Sequence, residues 1–272
     1  MTVCITAVAW LVAVAAAARS TWSPCGLSML STITPVSEKA KGHSYPATAT
    51  WFVLGAVAGG ATLGTAMALL ALGVHALHLS TTMIGAAAFG AALLAAASDL
   101  GIRGMRLPVH RRQVNERWLD HYRPWVYGTG FGWQIGSGLS TYITTAAVYL
   151  MVVLGALTTV PVAALAIGTG FGLVRGLAVL MTRHLTDPVG LRSFHRRFTA
   201  AGPLVGRTTI VAEATSAAVV AAYLRSPWAL TLAVGAAGVA VGAVVVTRTG
   251  ARGLVAVTEE DLATSQSTVT GP

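Results

Sequence analysis

The sequence predicts an all-α, polytopic membrane protein of about seven transmembrane helices, and three observations carry that expectation. Of its 272 residues, 54% are hydrophobic and only 10% are charged, far below the roughly 25% charged residues of soluble domains. The apolar residues gather into runs of about 20 or more, the length at which a helix rising about 1.5 Å per residue crosses a hydrocarbon core of about 30 Å. Between these runs the basic residues segregate: on a seven-span count, 15 of the 18 Lys and Arg fall on one face, as the positive-inside bias requires.

Residues 1–18 are apolar and small, but no Lys or Arg precedes Arg19, so the stretch lacks the basic start of a signal peptide and reads as part of the first span. That span runs from about Val3 to Pro35, too long for one straight helix, and Trp22-Ser23-Pro24-Cys25-Gly26 interrupts it. The second span covers Ala47 to Leu77 and the third Thr81 to Ala97, followed by a basic loop from Asp99 to Pro124. The fourth, Trp125 to Leu157, is again overlong and is interrupted by Gly128, Gly130, Gly132, Gly136 and Gly138. The fifth covers Val160 to Thr182, and a second basic loop runs from Arg183 to Arg207. A sixth span at Thr208 to Leu224 and a seventh at Pro227 to Thr247 complete the count. The polar tail from Arg248, rich in Ser and Thr, has the composition of a disordered extension. Trp51, Trp125, Tyr127 and Trp228 stand near span ends, where interfacial anchors belong.

The spans divide into residues 1–98 as a first three-helix unit, 99–124 as a cytoplasmic loop, 125–224 as a second unit, 225–247 as an extra helix and 248–272 as a cytoplasmic tail. Each unit opens with a broken helix, and Leu30-Ser31-Thr32-Ile33-Thr34 matches Leu139-Ser140-Thr141-Tyr142-Ile143-Thr144 in wording. Three spans per unit give the units opposite orientations, an inverted repeat whose functional site belongs near the midplane.

Candidate chemistry concentrates at the breaks. Cys25 follows Pro24 and precedes Gly26, so its thiol sits where a new half-helix directs amide N–H groups toward the gap, which favours a thiolate. Gly136 and Gly138 in the second unit are expected to flank a cavity that gives water access to it. Cys4 lies 21 residues away, about 31 Å along a continuous helix, whereas a disulfide needs Cα atoms within about 7 Å. Arg175 and Glu213 fall inside the fifth and sixth spans at similar depth, so a pair across those helices is expected. His75 and His78 share a helix face but lack a third ligand, so no metal is expected. No nucleotide-binding or hydrolase motif occurs in a suitable context, and no cofactor is implied. The basic residues lie between apolar spans rather than on a folded basic face, which argues against nucleic acid and for the lipid bilayer as the partner.

The chain resembles the CcdA/DsbD transmembrane family, which passes reducing equivalents across the bacterial inner membrane to thioredoxin-like partners. The resemblance spans roughly residues 3–224. It rests on the apolar first helix ending in Ser23-Pro24-Cys25, the linker with Lys39 and Lys41, Phe52-Val53-Leu54-Gly55, and Gly130-Phe131-Gly132-Trp133. Family members carry a cysteine after proline in both repeats, and this chain departs from that pattern with Ile135 and Gly136 at the second pair of positions. The resemblance implies thiol-disulfide exchange at Cys25 with a thioredoxin-like protein or a small thiol, in a bacterial inner membrane.

Two other classes fit the same pattern of residues: a small-solute or ion transporter with its site at the repeat interface, and a membrane subunit that holds partners through its basic loops. In every case the charge segregation puts the N-terminus outside and the C-terminus in the cytoplasm. An Arg112→Cys variant should therefore resist a membrane-impermeant maleimide in intact cells and react after permeabilisation. Labelling from outside would overturn the span count.

Overall fold

The structure is a computed structural model that describes residues 1–102, 123–138 and 143–224, with Thr231, Val234, Gly235 and Gly238. Most of the expected basic loop, nearly all of the expected seventh span and the tail lie outside the described residues. Among the described residues the protein is all-helical. Five helices are long and apolar enough to cross a membrane, which makes this a multi-pass membrane protein.

The first expected span divides as its sequence suggests. Helix α1 covers Thr2–Thr21, α2 covers Pro24–Thr32 and α3 covers Pro35–Ala40. Proline opens both short helices, where its missing N–H costs nothing, and Ser23 and Thr34 cap them by accepting from the amides of Gly26 and Ser37. Helix α4, Tyr45–Ala76, is 32 residues long, about 48 Å. Helix α5, Thr81–Leu100, is capped by the Ser80 hydroxyl and ends on Gly101 at φ 68°, a left-handed stop that glycine adopts without strain. The fourth span is two helices, α6 at Pro124–Ser137 and α7 at Ala147–Leu157. Helix α8, Pro161–Leu177, continues as a 3-10 turn to Thr182.

The sixth span is longer than its hydropathy suggests. Helix α9 runs from Pro188 to Leu224, 37 residues, so most of the expected second basic loop is helical. The reason is amphipathicity rather than overall hydrophobicity. Its basic residues face outward while Phe194 and Phe198 reach an inner apolar cluster. The Trp22 indole stacks on Phe198 at 4.1 Å and donates to the Phe198 carbonyl at 2.6 Å, close to the turn that Pro203 deprives of a donor.

Helix α4 is the centre of the packing, pressed between α6 and α8. Its Gly55 and Gly59 meet Thr129 and Trp133 of α6, while Gly132 and Gly136 of α6 meet Phe52 and Ala56. On its other flank Gly60 and Gly64 lie against Gly168 and Gly172 of α8. Small residues four apart let backbones touch, which is how helices associate where lipid removes the hydrophobic incentive. The matched residues run parallel between α4 and α6 and antiparallel between α4 and α8. Gly85 against Leu224, and Met1 against Tyr223, likewise make α9 antiparallel to α5 and α1. Chain direction therefore alternates along the sequence, and Lys39, Lys41, Arg123, Arg183, Arg192, Arg196 and Arg197 gather at one end of the bundle.

A Cβ at Gly136 would fall on the carbonyl oxygen of Ala56, whereas one at Gly90 meets nothing within 4 Å. Backbone cannot rotate away as a side chain can, so Gly136→Ala should cost about 1–3 kcal/mol. Gly90→Ala should be neutral or gain up to about 1 kcal/mol from helix propensity. Thermal unfolding of the two purified variants in one detergent should show a lowered Tm for the first alone.

Candidate functional site at the helix breaks

Helix α1 ends because Pro24 cannot continue it, and the chain turns through Trp22 and an extended Ser23. Gly26 is required here: a Cβ at this position would strike the Thr21 carbonyl, so the start of α2 folds tightly onto the end of α1. Cys25, in the first turn of α2, is completely buried. It belongs to an apolar cluster with Phe52, Phe131, Ile135, Val179 and Phe198. Both cysteines are reduced, and the unbroken course of α1 keeps Cys4 at the far end from Cys25.

The second break lies between α6 and α7. Gly138 ends α6 at φ 67°, and the Phe171 ring of α8 occupies the space a side chain there would need. Among the described residues, neither Gly136 nor Gly138 leaves open space where its side chain would be. Helical backbone fills one position and an aromatic ring the other. Cys25 itself has no exposed surface in this conformation.

Arg175 joins the two breaks. Its side chain is fully buried in the last turn of α8, donating from Nη1 to the Ile135 carbonyl at 2.5 Å and from Nη2 to the Ser20 carbonyl at 3.4 Å. Both acceptors lie in the final turn of an interrupted helix, where the helix dipole is negative; each also accepts from one backbone amide, Ser20 from Ser23 and Ile135 from Gly138. The guanidinium also lies over the Phe171 ring at 5.6 Å and within electrostatic range of the Cys25 thiol.

The expected pair between Arg175 and Glu213 does not occur. Glu213 is also fully buried, but neither carboxylate oxygen has a hydrogen-bond partner among the described residues. Its charged neighbour is Asp99 of α5. Similar depth did not imply a shared face: Arg175 turns toward α1 and α6, while Glu213 turns toward α5. Asp99 accepts from the Ala146 amide at 2.8 Å and from the Thr145 hydroxyl, so it caps the start of α7, with Arg19 close enough to interact.

A third buried group was not singled out from the sequence. Glu38 of α3 is fully buried and accepts from Thr48 and Tyr127 hydroxyls, both at 2.5 Å to Oε2. His43 Nδ1 stands 3.9 Å from the same oxygen, and Lys41 Nζ lies 5.5 Å from the centre of the Tyr127 ring. Tyr127 is thus a buried donor rather than an interfacial anchor. Trp51 and Trp125 do remain exposed at that end, 6.5 Å apart. A threonine-proline start with an acid in the first turn, Thr34-Pro35-Val36-Ser37-Glu38, is the signal that marked α3. Nothing local marked the burial of Glu38. His75 and His78 are exposed with rings 6.2 Å apart, and no group of three metal-ligating side chains occurs among the described residues.

The chain is similar to proteins named methylamine utilization protein MauF. It is 32% identical to that of Paracoccus versutus over 178 residues, 62% of each chain. It is 30% identical to that of Methylobacillus flagellatus over 151 residues, 52% of this chain and 50% of the other. For Methylorubrum extorquens the identity is 30% over 139 residues, 48% of this chain and 47% of the other. The chain spans about half the length of the curated relatives it matches. No family model matches the chain, and no solved structure does.

Removing the Tyr127 hydroxyl would leave the buried Glu38 carboxylate with one hydroxyl donor. Tyr127→Phe should therefore lower stability by about 1–3 kcal/mol, read as a reduced Tm of the purified protein. An unchanged Tm would show that the Glu38 contact contributes nothing net.

Proposed function

We propose that the protein is an inner-membrane accessory protein that performs thiol-disulfide exchange at Cys25, on an inverted-repeat scaffold like that of the CcdA/DsbD family, in a process related to the one MauF is named for. The observation that carries this reading is the position of Cys25 at the first helix break, directly after Pro24, with the Arg175 guanidinium donating to the Ser20 carbonyl at the end of the preceding helix. The thiol stands in the first turn of α2, directly after the proline that opens the break.

The packing scheme supports the inverted repeat. With α1 matched to α6 and α7, α4 to α8, and α5 to α9, the contacts of α1 with α7, α4 with α8 and α5 with α9 each join an element to its own counterpart. The contact of α1 with α9 is mirrored by that of α5 with α7. A pseudo-two-fold relation of this kind is what an inverted repeat produces. The basic end of the bundle supports a cytoplasmic assignment for that face and an external N-terminus.

The chemistry follows from having one thiol at the break. The Cys25 thiolate attacks one sulfur of a partner disulfide, a Cys25–partner disulfide forms, and the other partner sulfur leaves as a thiolate. A second thiol, from the partner or a small molecule, then resolves the mixed disulfide and restores Cys25. Because Cys25 is sealed in this conformation, exchange requires the break to open.

Alkylating membranes under acid quench and resolving them without reductant tests this reading. Wild-type protein should yield a reducible adduct that maps to Cys25 and is lost in Cys25→Ser. Absence of any adduct, together with wild-type behaviour of Cys25→Ser in a methylamine-growth assay, would reject thiol exchange. A transporter reading would then be the better one, supported by the buried Glu213 and the partly buried Asp99 and Arg19.

A further inference from the structure

Glu213 is a buried ionisable group that neither helix break uses, and unlike Glu38 it has no hydrogen-bond donor among the described residues. Its side chain is wholly enclosed, and no donor among the described residues reaches either carboxylate oxygen. The nearby hydroxyls are committed elsewhere: Thr209 donates to the Val205 carbonyl at 2.9 Å and Ser216 to the Ala212 carbonyl at 2.7 Å. Asp99 faces it from α5. From α1, Arg19 packs over Gly206, with Nε 3.5 Å from where a Cβ would stand. That position is about two turns, or roughly 10 Å, along α9 from Glu213, so Arg19 serves Asp99 rather than Glu213.

The two carboxyl groups are therefore unequal. Asp99 has a guanidinium nearby, a hydroxyl donor in Thr145 and the amide at the start of α7, all of which stabilise an anion. Glu213 has none of these and has an anion beside it. Ionising both would leave two negative charges against one positive charge, with Glu213 enclosed by protein, where an unpaired charge is costly.

We propose that Glu213 and Asp99 form a membrane-embedded proton-binding site, in which Glu213 carries the exchangeable proton and Asp99 is the fixed anion. Proton loss from Glu213 then requires water or a donor to reach it, which couples its protonation to opening of the α5/α9 contact. The inference does not depend on Cys25.

The test uses dicyclohexylcarbodiimide on the purified full-length protein, with infrared spectroscopy alongside. A protonated carboxyl gives its proton to a carbodiimide nitrogen and its oxygen adds to the central carbon. Acyl migration then leaves a stable N-acylurea with no leaving group. Peptide mapping should find this adduct on Glu213 at neutral pH, declining as pH rises and absent in Glu213→Gln. Asp99→Asn should shift the decline to lower pH, because removing the neighbouring anion weakens proton retention. Independently, the infrared band of a protonated carboxyl in wild type at neutral pH should be lost in Glu213→Gln. No loss of that band would overturn the proposal, whatever the reagent does. Protection from the reagent by sodium at constant pH would also overturn it, in favour of a metal-cation site.

Discussion

The structure depends on how the ends of interrupted helices are satisfied where water is scarce. A helix that stops inside a membrane leaves carbonyls without donors, and lipid supplies none. At both interruptions a backbone amide reaches the terminal carbonyl, Ser23 to Ser20 and Gly138 to Ile135, and Arg175 adds a charged donor to each of the same two oxygens. Its charge suits two negative helix termini, and its planar fork can address two acceptors in a way that a lysine ammonium cannot.

That reach is possible because α4 brings its neighbours to backbone contact. The glycines of α4, α6 and α8 remove the side chains that would hold these helices apart. Phe171, one turn before Arg175, occupies the space left by Gly138, so the same face of α8 seals the α6 terminus and supplies its cation. Asp99 performs the complementary task across the gap, by capping the start of α7 with an anion. The second break is thus closed by a cation on its carbonyl side and an anion on its amide side.

Two buried acids, Glu38 and Glu213, and the partly buried Asp99 then have three distinct environments. Glu38 is held by two hydroxyls, Asp99 by an amide, a hydroxyl and a nearby guanidinium, and Glu213 by no hydrogen-bond donor among the described residues. Asp99 sits beside the second break, and Glu38 ties α3 to the first turns of α4 and α6. Glu213 does neither, and that difference separates a structural acid from one suited to exchanging a proton.

The sequence by itself determined the all-helical membrane character, most of the span boundaries and the two breaks, because hydropathy and helix interruption are local properties. The runs of about 20 apolar residues, Pro24 after Ser23, and Gly138 carry that information without reference to any neighbour. It also identified Cys25, Arg175 and Glu213 as unusual, since a thiol at a break and charges in apolar helices stand out against their surroundings. Only the tertiary structure decided which groups meet. Arg175 and Glu213 share a depth but face different helices, because a residue's direction around its helix is set by packing across α4 and α5, not by its distance from the membrane surface. The same cause hid Glu38, whose polar linker sequence reads as solvent-facing until α4 and α6 close over it with Thr48 and Tyr127. It also set what stands beside the glycines of α6, backbone of Ala56 at Gly136 and the Phe171 ring at Gly138.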